Sequence, residues 1–94
     1  MSIEEFKNTL KDFNPPEGLS IFLQSLWHDG KGNWHEAHSL IDSLSGKEAS
    51  HLHAYLHRKE GDLGNADYWY RKAGKKRPEM DLDQEWEILV EIFL

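Results

Sequence analysis

A gapless internal repeat constrains this fold more than any other feature of the sequence. The segments "GNWHEAHSLI" from Gly32 and "GDLGNADYWY" from Gly61 align without insertion, 29 positions apart. Each has a glycine, an Asn or Asp, a bulky apolar residue and, three positions later, an alanine. Glycine can end one helix, the Asn or Asp side chain can cap the next, and alanine lets two helices approach closely. The repeat therefore predicts two helical hairpins in series.

Helix-start signals predict the remaining elements. Ser2 with Glu5 and Asp81 with Gln84 form capping boxes ahead of apolar residues at helical spacing. The predicted helices run over 2–12, about 16–28, 33 to about 45, 45 to about 60, 62–73 and from 81 onward, with Gly61 at positive φ between the fourth and fifth. No strand pattern competes with them. The predicted fold is all-α, with five or six helices that form two stacked antiparallel hairpins and N- and C-terminal capping helices.

The second hairpin resembles a tetratricopeptide repeat. Five of its residues stand at the glycine, alanine, aromatic, alanine and proline positions of that repeat: Gly61, Ala66, Tyr70, Ala73 and Pro78. The resemblance implies a repeat over 47–80 and a degenerate one over about 18–46, both within a single domain, 1–94. The stretch "HAYLHRKEGDLGNADYWYRKAG" is also similar to a small group of uncharacterised bacterial proteins, and that similarity brings no assigned activity.

Charge and composition narrow the classes of partner and location. Eleven basic against seventeen acidic residues give a net charge of −6, which disfavours binding to nucleic-acid phosphate. The absence of cysteine suits a reducing compartment. The N-terminus "MSIEEFKNTL" has acids where a signal peptide has basic residues, and no apolar run approaches the roughly 18 residues of a spanning helix. We therefore predict a cytoplasmic protein that binds neither nucleic acid nor membrane.

Three histidines form a candidate metal site. His53 and His57 are four residues apart, so they share one helix face, and antiparallel packing should bring His38 near His53 and Trp34 near His57. Three imidazoles and a water would suit zinc or another borderline metal, with Glu60 or Asp62 as an additional carboxylate. The alternative is purely structural: His53 and His57 are half-buried, have backbone or solvent partners, and form no site.

A local basic patch suggests a different site. Arg58 and Lys59 lie where tetratricopeptide domains present their inner groove, which implies binding of a carboxylate-bearing peptide. The candidate binding residues are His51, Tyr55, Arg58, Lys59 and Trp69.

The residues with the clearest pattern are packing residues, and no reaction signature accompanies them. The sequence therefore favours a non-catalytic interaction module, which binds a protein or peptide partner without a cofactor. The alternative is a metal-binding protein or metal-dependent hydrolase that uses zinc at His38, His53 and His57. Homodimer formation is a further prediction, because the last helix would leave Ile88, Ile92 and Leu94 exposed if it packs on one side only.

Overall fold

The computed structural model describes residues 1–94 and contains helices but no strands, as predicted. Its helices are α1 (Ile3–Asn8), α2 (Ile21–Gly30), α3 (Trp34–Ile41), α4 (Lys47–Lys59), α5 (Leu63–Lys72) and α6 (Leu82–Phe93), with a short 3₁₀ helix, Thr9–Lys11, after α1. The capping boxes at Ser2 and Asp81 are confirmed. No helix reaches the length and apolarity that crossing a bilayer requires.

Side-chain caps explain where most of the helices begin. The side chains of Asn33 and Asp62 accept hydrogen bonds from the backbone N–H groups of Glu36 and Asn65, which starts α3 and α5 at the predicted positions. Two predicted starts are wrong. The second helix begins at Ile21 rather than Pro16, because Ser20 supplies the cap. The predicted Ser45 cap of α4 is absent, since Gly46 precedes that helix and makes no side-chain cap.

The internal repeat corresponds to two helical hairpins with the same turn. After α2, Gly32 has a φ of 83° and the N–H of Asn33 donates to the carbonyl of His28. After α4, Gly61 has a φ of 89°, as predicted, and the N–H of Asp62 donates to the carbonyl of His57. A left-handed glycine with this long backbone bond is a Schellman-type helix end, which returns the chain along the preceding helix.

Antiparallel packing fixes the register between the helices. Ala37 and Ala66, the repeat alanines, are fully buried where α2 meets α3 and where α4 meets α5. Between α3 and α4, Trp34 lies beside His57 and His38 lies beside His53, so the two helices run in opposite directions. The same holds between α4 and α5, where Trp69 stacks on His53 and Asn65 contacts His57. The face of α4 that carries the histidines therefore lies between α3 and α5.

The main core lies on the other side of α4. It contains twelve buried residues: Phe6, Leu23, Leu26, Trp27, Ala37, Ile41, Leu52, Tyr55, Leu56, Trp86, Leu89 and Val90. The C-terminal helix α6 packs against both α2 and α4, and α1 packs against α6. The faces of α4 therefore contact neighbouring helices, which explains why eight of its residues are buried. Polar side chains on α4 must therefore find internal partners.

Candidate metal centre

The predicted convergence of histidines is present in the structure. The Nε2 atoms of His38 and His53 are 3.0 Å apart, and His57 lies one helical turn beyond His53. One ring nitrogen from each of the three residues lies within 4.8 Å of the other two. The ring centroids are 4.8 to 5.2 Å apart. We refer to His38, His53 and His57 as the histidine cluster.

Two tryptophans hold the cluster in place. Trp34 stacks on the imidazole of His38 at 4.8 Å with an angle of 9° between the planes, and Trp69 stacks on His53 at 4.0 Å and 18°. The indole N–H of Trp34 also donates to the carbonyl of Leu56 at 2.7 Å, which ties α3 to α4 beside the cluster. Stacking and burial limit the rotation of these rings, so the cluster is preorganised by its packing.

Burial also sets the protonation state. His53 and His57 are only 4% and 7% exposed, whereas His38 is half-buried. Burial lowers the pKa of His53 to about 4, and the neighbouring His57 and His38 imidazoles add to this shift. Burial also lowers the pKa of His38, although the Asp42 carboxylate acts in the opposite direction. Both rings are therefore neutral at pH 7, the form in which an imidazole can share a proton or bind a metal.

His57 has a second feature of metal-binding histidines. Its Nδ1 lies 2.6 Å from the carboxylate of Glu60, which fixes a proton on Nδ1 and leaves Nε2 unprotonated in the neutral ring. Carboxylates hydrogen-bonded to the second nitrogen of a ligand histidine orient the ring and increase its basicity. In the structure, Nε2 lies 3.3 Å from the Asn65 amide nitrogen, a contact that a bound ion would replace if it used this atom.

Both carboxylates predicted to assist the cluster lie beside His57. Together with its imidazole, Glu60 and Asp62 form a second group whose ligand atoms lie within 4.8 Å of one another. Both carboxylates already have partners, however. Glu60 contacts His57 Nδ1, and Asp62 accepts the Asn65 N–H as the cap of α5.

Comparison with protein-family models, curated proteins and solved structures finds no match.

The predicted partner-binding residues do not gather on one surface. Tyr55 is 2% exposed and donates its hydroxyl to Asp29 at 2.6 Å, and Lys59 donates to the other oxygen of Asp29 at 2.8 Å. Trp69 belongs to the histidine cluster through its stack on His53. Tyr55 and Lys59 thus connect α4 to the end of α2, and binding of a peptide by these residues stays a prediction.

The other two predicted binding residues contact a buried carboxylate on α6. Arg58 donates to Glu85 at 2.9 Å and also to the carbonyl of Met80, and His51 Nε2 lies 3.5 Å from Glu85. The Tyr70 hydroxyl donates to the same carboxylate at 2.7 to 2.8 Å. Burial acts to raise the pKa of Glu85, but the contacts with His51, Tyr70 and Arg58 outweigh it and lower the pKa. Glu85 therefore joins α4, α5 and α6.

Asp29, Glu85 and Asp42 are functional candidates in the structure that were not predicted from the sequence. Asp29 and Glu85 are 1% and 2% exposed, and each occupies a helix face shared with apolar residues such as Leu26 and Leu89. A single carboxylate at an apolar helical position is the signal that could have identified them. Asp42 follows His38 by four residues, the spacing that places two side chains on one helix face.

Proposed function

We propose that this protein binds one divalent transition-metal ion, zinc or a similar borderline ion, through His38, His53 and His57. The observation that carries the proposal is the convergence of three imidazoles from two helices, with one nitrogen of each within 4.8 Å of the others. Zinc bonds to nitrogen are about 2.0–2.1 Å long, so tetrahedral ligand nitrogens lie about 3.3 Å apart. The spacing in the cluster brackets this value, so small ring movements would complete the site.

The chemistry of the cluster also supports a metal rather than a structural role alone. The three imidazoles offer one another few hydrogen bonds, since a neutral imidazole has one donor and one acceptor. His38 and His53 share a single N–H between two nitrogens, and only His57 has a carboxylate at 2.6 Å. Neutral imidazoles packed against tryptophans are suitable ligands for zinc, which needs deprotonated nitrogen.

Calorimetric titration of zinc into chelator-treated protein without a histidine tag tests the proposal. We expect one ion per chain for the wild type and a loss of affinity of more than about 100-fold for His53→Gln, because even outer hydrogen-bond partners of zinc ligands contribute about 10–100-fold. His35→Gln is the matched control, since His35 is an exposed histidine of α3 outside the cluster. Circular dichroism verifies that both variants fold. Equal binding by all three proteins, or no binding by the wild type, would contradict the proposal.

A protein-interaction module is the second candidate, and the outer side of α6 favours it. Ile88, Ile92 and Leu94 are 41%, 54% and 44% exposed, and Ile88 and Ile92 are one helical turn apart on the same side. Exposed apolar surface of this kind is typical of interaction sites, and a second copy of the chain would cover it with a matching surface.

Light scattering over a range of concentrations tests this candidate. We expect an average mass that rises above the 11.0 kDa of one chain as concentration increases. Ile92→Lys should return the mass to that of a monomer, because it places a charge in the apolar surface. Glu91→Lys, at an exposed neighbouring position, should not disrupt the dimer. A monomeric wild type at every concentration would exclude self-association through α6.

A further inference from the structure

We infer that Asp42 supplies the fourth ligand of the proposed metal site, which would make the site closed and suited to holding an ion rather than to hydrolysis. The inference rests on the proposed function. Three histidines with an open fourth position are typical of catalytic zinc, where the ion activates a water. A fourth protein ligand would occupy that position, so no water could bind to the ion there. The identity of the fourth ligand therefore distinguishes the two metal-dependent functions predicted from the sequence.

The position of Asp42 supports its role as a ligand. It directly follows α3, four residues after His38, and its Oδ1 lies 3.8 Å from His38 Nε2 and 3.9 Å from His53 Nε2. One oxygen is thus nearly equidistant from the two closest nitrogens of the cluster. Ligand atoms of a tetrahedral zinc site lie about 3.3–3.5 Å apart, so a shift of about half an ångström would bring Asp42 to the ligand spacing from His38 and His53.

Asp42 is also the nearby carboxylate with no other role. Its side chain is 61% exposed, makes no hydrogen bond, and has the imidazoles of His38 and His53 as its only charge partners. By contrast, Glu60 contacts His57 Nδ1 and Asp62 caps α5. Glu60 and Asp62 thus each already bond through one carboxylate oxygen, whereas neither oxygen of Asp42 takes part in a hydrogen bond.

Charge favours the same assignment. Three neutral imidazoles leave the full double charge of a divalent ion within a half-buried site, and transfer of an uncompensated charge out of water is costly. The carboxylate of Asp42 would neutralise half of that charge. The exposed Asp42 side chain reaches the cluster from the solvent side. His38 is the most accessible member there, because it is half-buried whereas His53 and His57 are buried. Asp42 would therefore cover the ion at the point where water would otherwise reach it.

The first part of the test compares zinc affinities. We expect Asp42→Asn to weaken zinc binding by at least about tenfold, since loss of a ligand should cost no less than loss of an outer hydrogen-bond partner. Glu36→Gln is the matched control, because it removes the same charge from an exposed position of α3 without changing the cluster. Equal affinity of Asp42→Asn and wild type would overturn the inference but leave three-histidine binding intact.

The second part tests whether the fourth position is open. Cobalt(II), which has visible absorption bands sensitive to its ligands, replaces zinc, and azide is added as an external ligand. We expect azide to leave the spectrum of the wild type unchanged and to alter that of Asp42→Ala. An azide-sensitive wild type would overturn the inference and indicate an open, water-bearing site. Failure of the wild type to bind either ion would refute the proposed function itself.

Discussion

Replacement of Glu85 by alanine is expected to lower the free energy of unfolding by about 3 kcal/mol, because it removes one partner from a buried ion pair. Glu85 is 2% exposed and accepts hydrogen bonds from Arg58 and Tyr70. Without it, the Arg58 guanidinium keeps only the carbonyl of Met80, and the buried Tyr70 hydroxyl has no partner. A chain of this size typically has a total stability of about 5–14 kcal/mol, so the loss would be a large fraction.

The same helix provides a matched control. Glu87 is two residues from Glu85 and pairs with Lys7 at 3.1 Å, but the two side chains are 40% and 41% exposed. Exposed ion pairs contribute little, so Glu87→Ala should change stability by about 0.5 kcal/mol or less. Urea unfolding followed by tryptophan fluorescence measures both values. Similar effects of the two substitutions would show that the Glu85 network does not hold α6 in place.

The contrast between Glu85 and the histidine cluster explains what the sequence can reveal. His38 and His53 lie on adjacent helices, α3 and α4, that a short connection joins, so antiparallel packing predicts their proximity, and the 3.0 Å distance confirms it. Glu85 contacts Arg58 across 27 positions, from a helix outside both hairpins. The repeat contains no information on how α6 docks. The spacing of apolar residues predicts that one face of α6 is buried. It does not predict which polar side chains of the neighbouring helices contact that face.

The errors in helix boundaries have a similar cause. Proline at position 16 can start a helix, yet Ser20 caps α2 four residues later, and both signals are compatible with the local sequence. Likewise, Ser45 and Glu48 match a capping box, but Gly46, with a φ of 106°, directs the chain into α4 instead. Tertiary packing of α2 and α4 decides which start signal is used, and local sequence signals do not specify that packing.

Acidification should destabilise the metal-free protein between about pH 6.5 and pH 4, because His53 is held neutral in the folded state. Its pKa falls from 6.5 to about 4 on folding, so the unfolded chain binds a proton more readily than the folded one. The contribution of His53 is complete above about pH 7 and decreases as pH falls through this window. At 1.36 kcal/mol per unit, the total loss is about 3 kcal/mol.

Comparison with His53→Gln isolates the contribution of His53 to the pH dependence of the free energy of unfolding. Carboxylates such as Glu85 also titrate in acid and contribute to the wild-type profile. Glutamine has no charge to acquire, so the free energy of unfolding of this variant should vary by about 3 kcal/mol less than that of wild type between pH 7 and pH 4. His35→Gln, at an exposed position, should follow the wild-type profile. Urea unfolding at each pH with a chelator present gives the three curves.

Parallel curves for wild type and His53→Gln would mean that His53 gains its proton without disrupting the fold. Divergent curves would show that the neutral ring required for metal binding is imposed by the packing of Trp69, His38 and His57 around it.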